Sequence, residues 1–178
     1  MVDGAMSYQK YLDGDNTGLL EIIQEYKNSL MYYLNTYVHN LEAAEELTED
    51  TFFKIMVRKP FFKPKGSFKS WLFTIGRNLA LDYLRKSVSR KEEYNDEIIY
   101  EDKEGISRET KELVWKVLKR LPDNYRQVLY LNYFEDFSNT EIASIMHKTN
   151  RQIETLLYRA KKAMKEELGK EGYDYEDN

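Results

Sequence analysis

The sequence predicts an all-α protein, with two small helical domains joined by a flexible acidic linker and a helix-turn-helix as the second domain. Apolar residues recur at three- and four-residue spacing while strict alternation is rare, which is the period of helices and not of strands. Midway, a polar and acidic stretch loses that period and takes on the composition of a linker. Near the C-terminal end, two segments, SNTE at 138–141 and TNRQ at 149–152, repeat one helix-start signature eleven residues apart.

Each element follows from the pattern in order. Leu19, Ile22, Ile23, Tyr26, Leu30, Tyr33 and Tyr37 form one stripe on a long first helix. A second helix turns Ala44, Leu47, Phe52, Ile55 and Met56 inward, and its first turns carry Glu42, Glu45, Glu46, Glu49 and Asp50, where acids suit the positive end of the helix dipole. Pro60, Pro64 and Gly66 then break the chain into a loop. Ser67 caps a third helix with Phe68, Leu72, Ile75 and Leu79 on one face, in which Gly76 costs about 1 kcal/mol relative to Ala. These elements make a first domain over residues 1–88, followed by the acidic linker over 89–108. A new run starts near Glu109, with Leu113, Val117, Leu118 and Leu121 in register, and stops at Pro122; Asp123 opens another helix through Tyr133 or Phe134. The two capping boxes then start the paired helices that complete a second domain over 109–168, and residues 169–178 are expected to fray as an acidic tail.

Composition narrows the class. A chain of 178 residues that is 42% hydrophobic and 33% charged can fill one ordinary domain or two small ones and is too apolar to be wholly disordered. It has no cysteine, so disulfides, thiolate metal sites and thiol nucleophiles are excluded, in keeping with a reducing compartment. No signal-peptide core is visible, and no run approaches the roughly 18 apolar residues that a membrane helix needs, so a cytoplasmic protein without membrane insertion is expected. The net charge of −4 hides a strong asymmetry. Residues 58–91 hold ten Lys/Arg against the single acid Asp82, residues 92–109 hold eight acids against Lys103 and Arg108, and residues 145–165 hold six Lys/Arg against Glu154.

Two constellations carry function. Over 134–165, a short helix, a tight connection at His147 and Lys148, and a second helix from about Asn150 make the helix-turn-helix arrangement, whose second helix can enter the major groove. Ile142, Ala143, Ile145 and Met146 face Ile153, Leu156, Leu157 and Ala160, which leaves Asn150, Arg151, Gln152, Thr155, Tyr158, Arg159 and Lys162 outward. Base-edge readers thus precede phosphate-binding cations, the order a docked helix requires; a helical hairpin with a solvated basic face is the alternative. Over 58–91, Lys59, Lys63, Lys65, Lys69, Arg77, Arg85, Lys86 and Arg90 interleave with Phe61, Phe62, Phe68, Trp71 and Phe73, a composition suited to unpaired nucleic acid. Phe68 and Trp71 fall near the apolar stripe and read as core, whereas Phe61 and Phe62 lie in the Pro-flanked loop and read as exposed.

These residues resemble the extracytoplasmic-function sigma factors of bacterial RNA polymerase. EAAEELTEDTFFK (42–54) is similar to the family's polymerase-binding helix, and GSFKSWLFTIGRNLALDYLR (66–85) to its promoter-melting and minus-ten-reading segment. LPDNYRQVL (121–129), YFEDFSNTEIA (133–143) and YRAKK (158–162) are similar to the domain that reads the minus-thirty-five element, and the ordered set spans about residues 8–168. The resemblance implies that Glu45, Glu46, Glu49, Asp50 and Phe53 meet core polymerase. It implies that Phe61, Phe62, Lys63, Lys65 and Ser67 surround a flipped promoter base, with Lys69, Arg77, Asn78 and Arg85 contributing from the following helix; Asp82, a lone acid in a basic segment, reads instead as structural, orienting a neighbouring Arg or Lys and not facing phosphate. Asn150, Arg151, Gln152, Thr155, Tyr158, Arg159 and Lys162 would face duplex DNA. Core RNA polymerase, promoter DNA and a dedicated anti-sigma protein are the implied partners, with no catalytic residue, metal, cofactor or small-molecule substrate. The chain departs from the family at His147, where glycine is usual, at Asn150 and Arg151, where small residues are frequent, at Glu154, often basic, and at Glu49, frequently glutamine.

Two other readings compete. A stand-alone helix-turn-helix regulator would account for the C-terminal half but not for the aromatic, basic N-terminal one. A nucleic-acid enzyme lacks a visible constellation, since His39 and His147 read as a helix-end and a turn residue.

Overall fold

The computed structural model describes residues 3–63, 66–87 and 107–173, and the chain divides into two compact units. Among the described residues every regular element is helical. The expected linker lies outside them up to residue 106.

The first unit has four helices: α1 (Gly4–Leu12), α2 (Thr17–Val38), α3 (Leu41–Arg58) and α4 (Phe68–Ser87). Their ends follow local chemistry. The Asp3 carboxylate accepts the amides of Ala5 and Met6, the Asn40 side chain accepts the amide of Ala43, and Ser67 accepts the amide of Ser70 at 3.2 Å, as its position predicted. His39 and Lys59 take the left-handed conformation, with φ of 50° and 42°, and so end α2 and α3. The core is built from Ile22, Leu30, Tyr33 and Leu34 of α2, Ala44 and Ile55 of α3, and Leu72, Phe73 and Ala80 of α4.

The structure corrects three details of the pattern. Met56 is not inward but 37% exposed, because α3 buries Thr48 and Thr51 instead. Their hydroxyls donate to the carbonyls of Ala44 and Leu47, each at 2.7 Å, so these polar residues enter the core satisfied. Ile75 and Leu79 are only half-buried, and α4 presents Phe73, Gly76 and Ala80 instead. A Cβ at Gly76 would stand 3.0 Å from Leu30 Cδ1 and 3.3 Å from Thr51 Oγ1, so the propensity cost of this glycine permits a close three-helix approach.

Helix α1 is the element the sequence reading left out. It is short, and tyrosines rather than aliphatic residues carry its inner face: Tyr8 and Tyr11 are buried. Its seat requires Gly18, where a Cβ would lie 2.1 Å from the Ser7 carbonyl oxygen and 2.8 Å from the Tyr11 nitrogen.

The second unit holds α5 (Arg108–Arg120), α6 (Asp123–Leu129), a π-helical continuation (Tyr130–Phe134), α7 (Asn139–Met146) through residue 143, and α8 (Asn150–Lys170). The expected helix from Asp123 to Phe134 is therefore continuous, with a widened last turn. Val117, Leu118, Val128, Leu131, Ile142, Ile153 and Ala160 form the core, whereas Leu113 and Leu156 are half-buried. Arg126 is buried among them. Its Nε donates to the Leu118 carbonyl at 3.0 Å, and Nη2 donates to those of Lys119 and Leu121 at 2.8 and 3.1 Å, so one cation satisfies the C-terminal end of α5. Helix α8 passes the expected domain end at residue 168. Glu171, just beyond it, pairs with Lys116 and Arg120, each at 2.7 Å, and these partners hold its carboxyl below the usual range.

Two stability outcomes follow. Gly18→Ala should cost about 2 kcal/mol or more in chemical denaturation, since the obstruction is backbone and cannot rotate away. Arg126→Met should cost roughly 2–4 kcal/mol, because two buried carbonyls and one part-buried carbonyl lose a charged donor; an unchanged midpoint would show that water replaces the guanidinium.

Candidate functional site

Three surfaces gather the side chains singled out in the sequence. The first is the exposed face of α8. Thr149 Oγ1 accepts the Gln152 amide at 3.2 Å while Gln152 Oε1 accepts the Thr149 amide at 2.8 Å, a complete capping box. Ser138 and Glu141 do the same for α7, at 3.0 and 3.3 Å. Between the helices His147 takes φ of 53°, and the Lys148 amide donates to the Ala143 carbonyl at 2.9 Å. The tight connection expected here is thus a left-handed turn at a non-glycine residue. Ile142 on α7 and Ile153, Leu157 and Ala160 on α8 are buried.

All seven outward residues expected on α8 are exposed. Their hydrogen bonds separate them into two groups. Asn150 Nδ2 donates to Thr140 Oγ1 at 3.2 Å, Gln152 spends its oxygen on the cap, and Thr155 donates back to the Arg151 carbonyl at 2.9 Å. A bidentate adenine contact uses both the oxygen and the nitrogen of an amide, so Gln152 would have to share between base and cap the oxygen that accepts the Thr149 amide. Arg151, Tyr158, Arg159 and Lys162 are not engaged in this way, and Tyr158 is 72% exposed. Lys161, which the sequence reading passed over, lies 5.3 Å from the Tyr133 ring centroid on the same unit.

The second surface is the arm that follows α3. Phe61 is 78% exposed, as expected. Phe62 is not: it is half-buried, with its ring 5.6 Å from Phe68 and 5.3 Å from Trp71, because an apolar cluster already stands beneath it. Phe73 is fully buried and Trp71 half-buried, so neither offers a free face to a base. Lys63, Ser67, Asn78 and Arg85 are exposed, and Lys65 lies outside the described residues. Lys69 sits 5.8 Å from the Phe73 ring centroid. Arg77 Nε donates to the Tyr37 hydroxyl at 3.2 Å, and Tyr37 shares a 2.9 Å hydrogen bond with Tyr33. Burial raises the Tyr33 phenol well above its ordinary range, so it stays protonated. Asp82 pairs with Arg85 one turn away, the orienting role expected of this lone acid.

The third surface is the outer face of α3. Glu46, Glu49 and Asp50 are exposed, and Glu45 leans towards α2 to pair with Lys27 at 3.3 Å. Phe53 is 60% exposed. Sequence reasoning missed its neighbour Val57, 59% exposed, although 46, 50, 53 and 57 share one helical face. The face is acidic in its first half and apolar in its second. Among the described residues no group of acids or histidines is placed to hold a metal ion, and no helix is long and apolar enough to cross a membrane.

Comparison with known proteins accounts for both units. Residues 22–90 match the model of sigma-70 region 2, and residues 111–164 match that of sigma-70 region 4. The chain is 28% identical over 158 residues to the RNA polymerase sigma factor YlaC of Bacillus subtilis, covering 84% of this chain and 91% of that protein. It is 25% identical over 173 residues to the ECF RNA polymerase sigma factor SigW of the same organism, covering 87% and 91%. Among solved structures, it shares the fold of the sigma factor RpoE crystallised with the anti-sigma factor NepR from Bartonella quintana, with a TM-score of 0.69 at 22% identity over 84% of this chain and 95% of that one. A stand-alone helix-turn-helix regulator would explain the second match and leave the first without a reason. With both regions present in order, and relatives spanned nearly end to end, the chain belongs to the sigma-70 family as an extracytoplasmic-function sigma factor, which directs RNA polymerase to promoters.

Proposed function

We propose that this sigma factor divides its work among the three surfaces. The outer face of α3, with Glu45, Glu46, Glu49, Asp50 and Phe53, docks on core polymerase; the arm and α4, with Phe61, Lys63, Lys69, Arg77, Asn78 and Arg85, hold the unpaired strand of the minus-ten element and assist strand separation; α8 reads the minus-thirty-five duplex. Phe62, Lys65 and Ser67 belong to the same minus-ten set, with Phe62 as the anchor of the arm. The observation that carries this reading is that α3 and α8 each bury one face in a core and leave exposed the opposite face, acidic on α3 and cationic on α8. Complementary charge speeds and orients protein association, and cations follow phosphates, so the two signs call for different partners.

In this reading the protein acts in the cytoplasm as an initiation factor without chemistry of its own. The domains of residues 1–88 and 109–168 work as separate readers joined by the acidic segment 89–108. An anti-sigma protein is a further expected partner, in line with the RpoE complex with NepR.

Reversing Glu46 and Asp50 to Lys should weaken binding to core polymerase about tenfold while leaving helicity intact, by fluorescence anisotropy against purified core. Unchanged affinity would remove α3 from the interface. On α8, Arg151→Ala should cost about 1–3 kcal/mol on a preferred duplex and relax preference at one base pair, whereas Lys162→Ala should weaken all duplexes alike and lower the salt slope by about one. The opposite assignment would reverse the orientation of the helix in the groove.

A further inference from the structure

The arm is held from a direction the sequence did not announce. The Tyr8 hydroxyl of α1 donates to the Pro60 carbonyl at 2.8 Å, and the Tyr11 hydroxyl donates to the Met56 carbonyl at 2.8 Å. The second acceptor lies in the last turn of α3, where carbonyls lack intrahelical partners, and the first lies two residues beyond that helix. Lys59, the left-handed residue between them, places its ammonium 4.8 Å from the Tyr11 ring centroid. The Tyr8 ring also packs 5.6 Å from Phe68 and 5.3 Å from Trp71, the same pair that receives Phe62. Burial pushes the Tyr8 phenol up to about 12, so it remains a donor throughout the neutral range.

Phe61 is therefore fixed on both sides. Before it, the Pro60 carbonyl is held by Tyr8; after it, the Phe62 ring is held in the cluster. With both neighbours anchored, the Phe61 ring is left 78% exposed.

We propose that Tyr8 and Tyr11 are positioning residues for promoter recognition: α1 is a clasp that sets the arm of residues 59–63 so that Phe61 is presented to an unpaired base. The proposal rests on the reading of the arm given under Proposed function. It makes α1, which carries no nucleic-acid-binding side chain of its own in that reading, a determinant of which base is preferred. Each hydroxyl supplies one neutral hydrogen bond, so losing either should change a preference ratio by roughly three- to tenfold.

The experiment uses full-length protein assembled with bacterial core polymerase and a fork-junction DNA library randomised at the unpaired non-template positions. Base preferences are read by sequencing the bound fraction. Phe61→Ala first identifies the positions that depend on the arm. Tyr8→Phe, Tyr11→Phe and the double variant keep both rings and delete only hydroxyls. The expected result is a three- to tenfold fall in preference at those same positions, largest in the double variant, with core affinity and helicity within twofold of the parent. Met6→Ala, exposed on the opposite face of α1, should change nothing. Unaltered preference in the double variant, with Phe61→Ala still active, would overturn the clasp and leave the arm's role standing. Parallel loss of preference and core affinity would also overturn it, by showing that α1 supports the fold as a whole. If Phe61→Ala altered no position, the reading of the arm would fall and the clasp with it.

Discussion

The satisfaction of helix ends is the constraint on which the rest of this structure depends. A chain built from helices and short connections exposes unpaired amides and carbonyls at every turn, and each must find a partner where it is buried. Here the partners come from three sources. Local side chains close the starts of α3, α4, α7 and α8 through Asn40, Ser67, Ser138 and Thr149. Left-handed residues, His39, Lys59 and His147, close three of the ends. Side chains of other helices add to these, Arg126 for α5 and Tyr11 for α3. Where a distant group does the work, the helix end becomes coupled to another element, and an exposed functional segment inherits its placement from that coupling.

The same constraint explains why polar side chains on the functional faces are unequal. A residue recruited to close a helix end has the direction of that side chain set by the cap before DNA arrives. The Gln152 oxygen is spent in this way at the start of α8 and the Asn150 amide nitrogen on the Thr140 hydroxyl, while Arg151, Arg159 and Lys162 are exposed. Similarly, Arg85 is steered by Asp82, and the Nε of Arg77 is held by Tyr37, itself joined to a buried Tyr33. Tyrosine suits these positions because its ring fills core volume while its hydroxyl reaches a carbonyl or a guanidinium at the rim.

Charge is organised at the scale of one helix face and not of the chain. A net charge of −4 would disfavour nucleic acid if it were uniform. Helix α3 presents acids and then Phe53 and Val57, the pattern of a protein-binding face with an apolar centre, while α8 presents cations. One chain can thus attract a basic protein surface and a polyanion at different places, each within a Debye length of about 8 Å at physiological salt.

The sequence by itself determined the helical class, the positions of α2 to α8 within a few residues, both capping boxes, the turn at His147 and the sign of charge on each functional face. Those are legible because they depend on residues three or four apart, which meet on one helix whatever the tertiary fold. Tertiary structure decided what depends on residues far apart in the chain. Phe62 looked exposed beside two prolines, yet Phe68 and Trp71 draw it inward. Met56 looked buried, yet Thr48 and Thr51 take the inner face once their hydroxyls bond within the helix. Helix α1 had no aliphatic stripe to announce it, and its tyrosines acquire meaning only through carbonyls 45 and 52 residues away. A hydrogen bond across that separation leaves no period in the sequence, because nothing local sets the distance between its two ends.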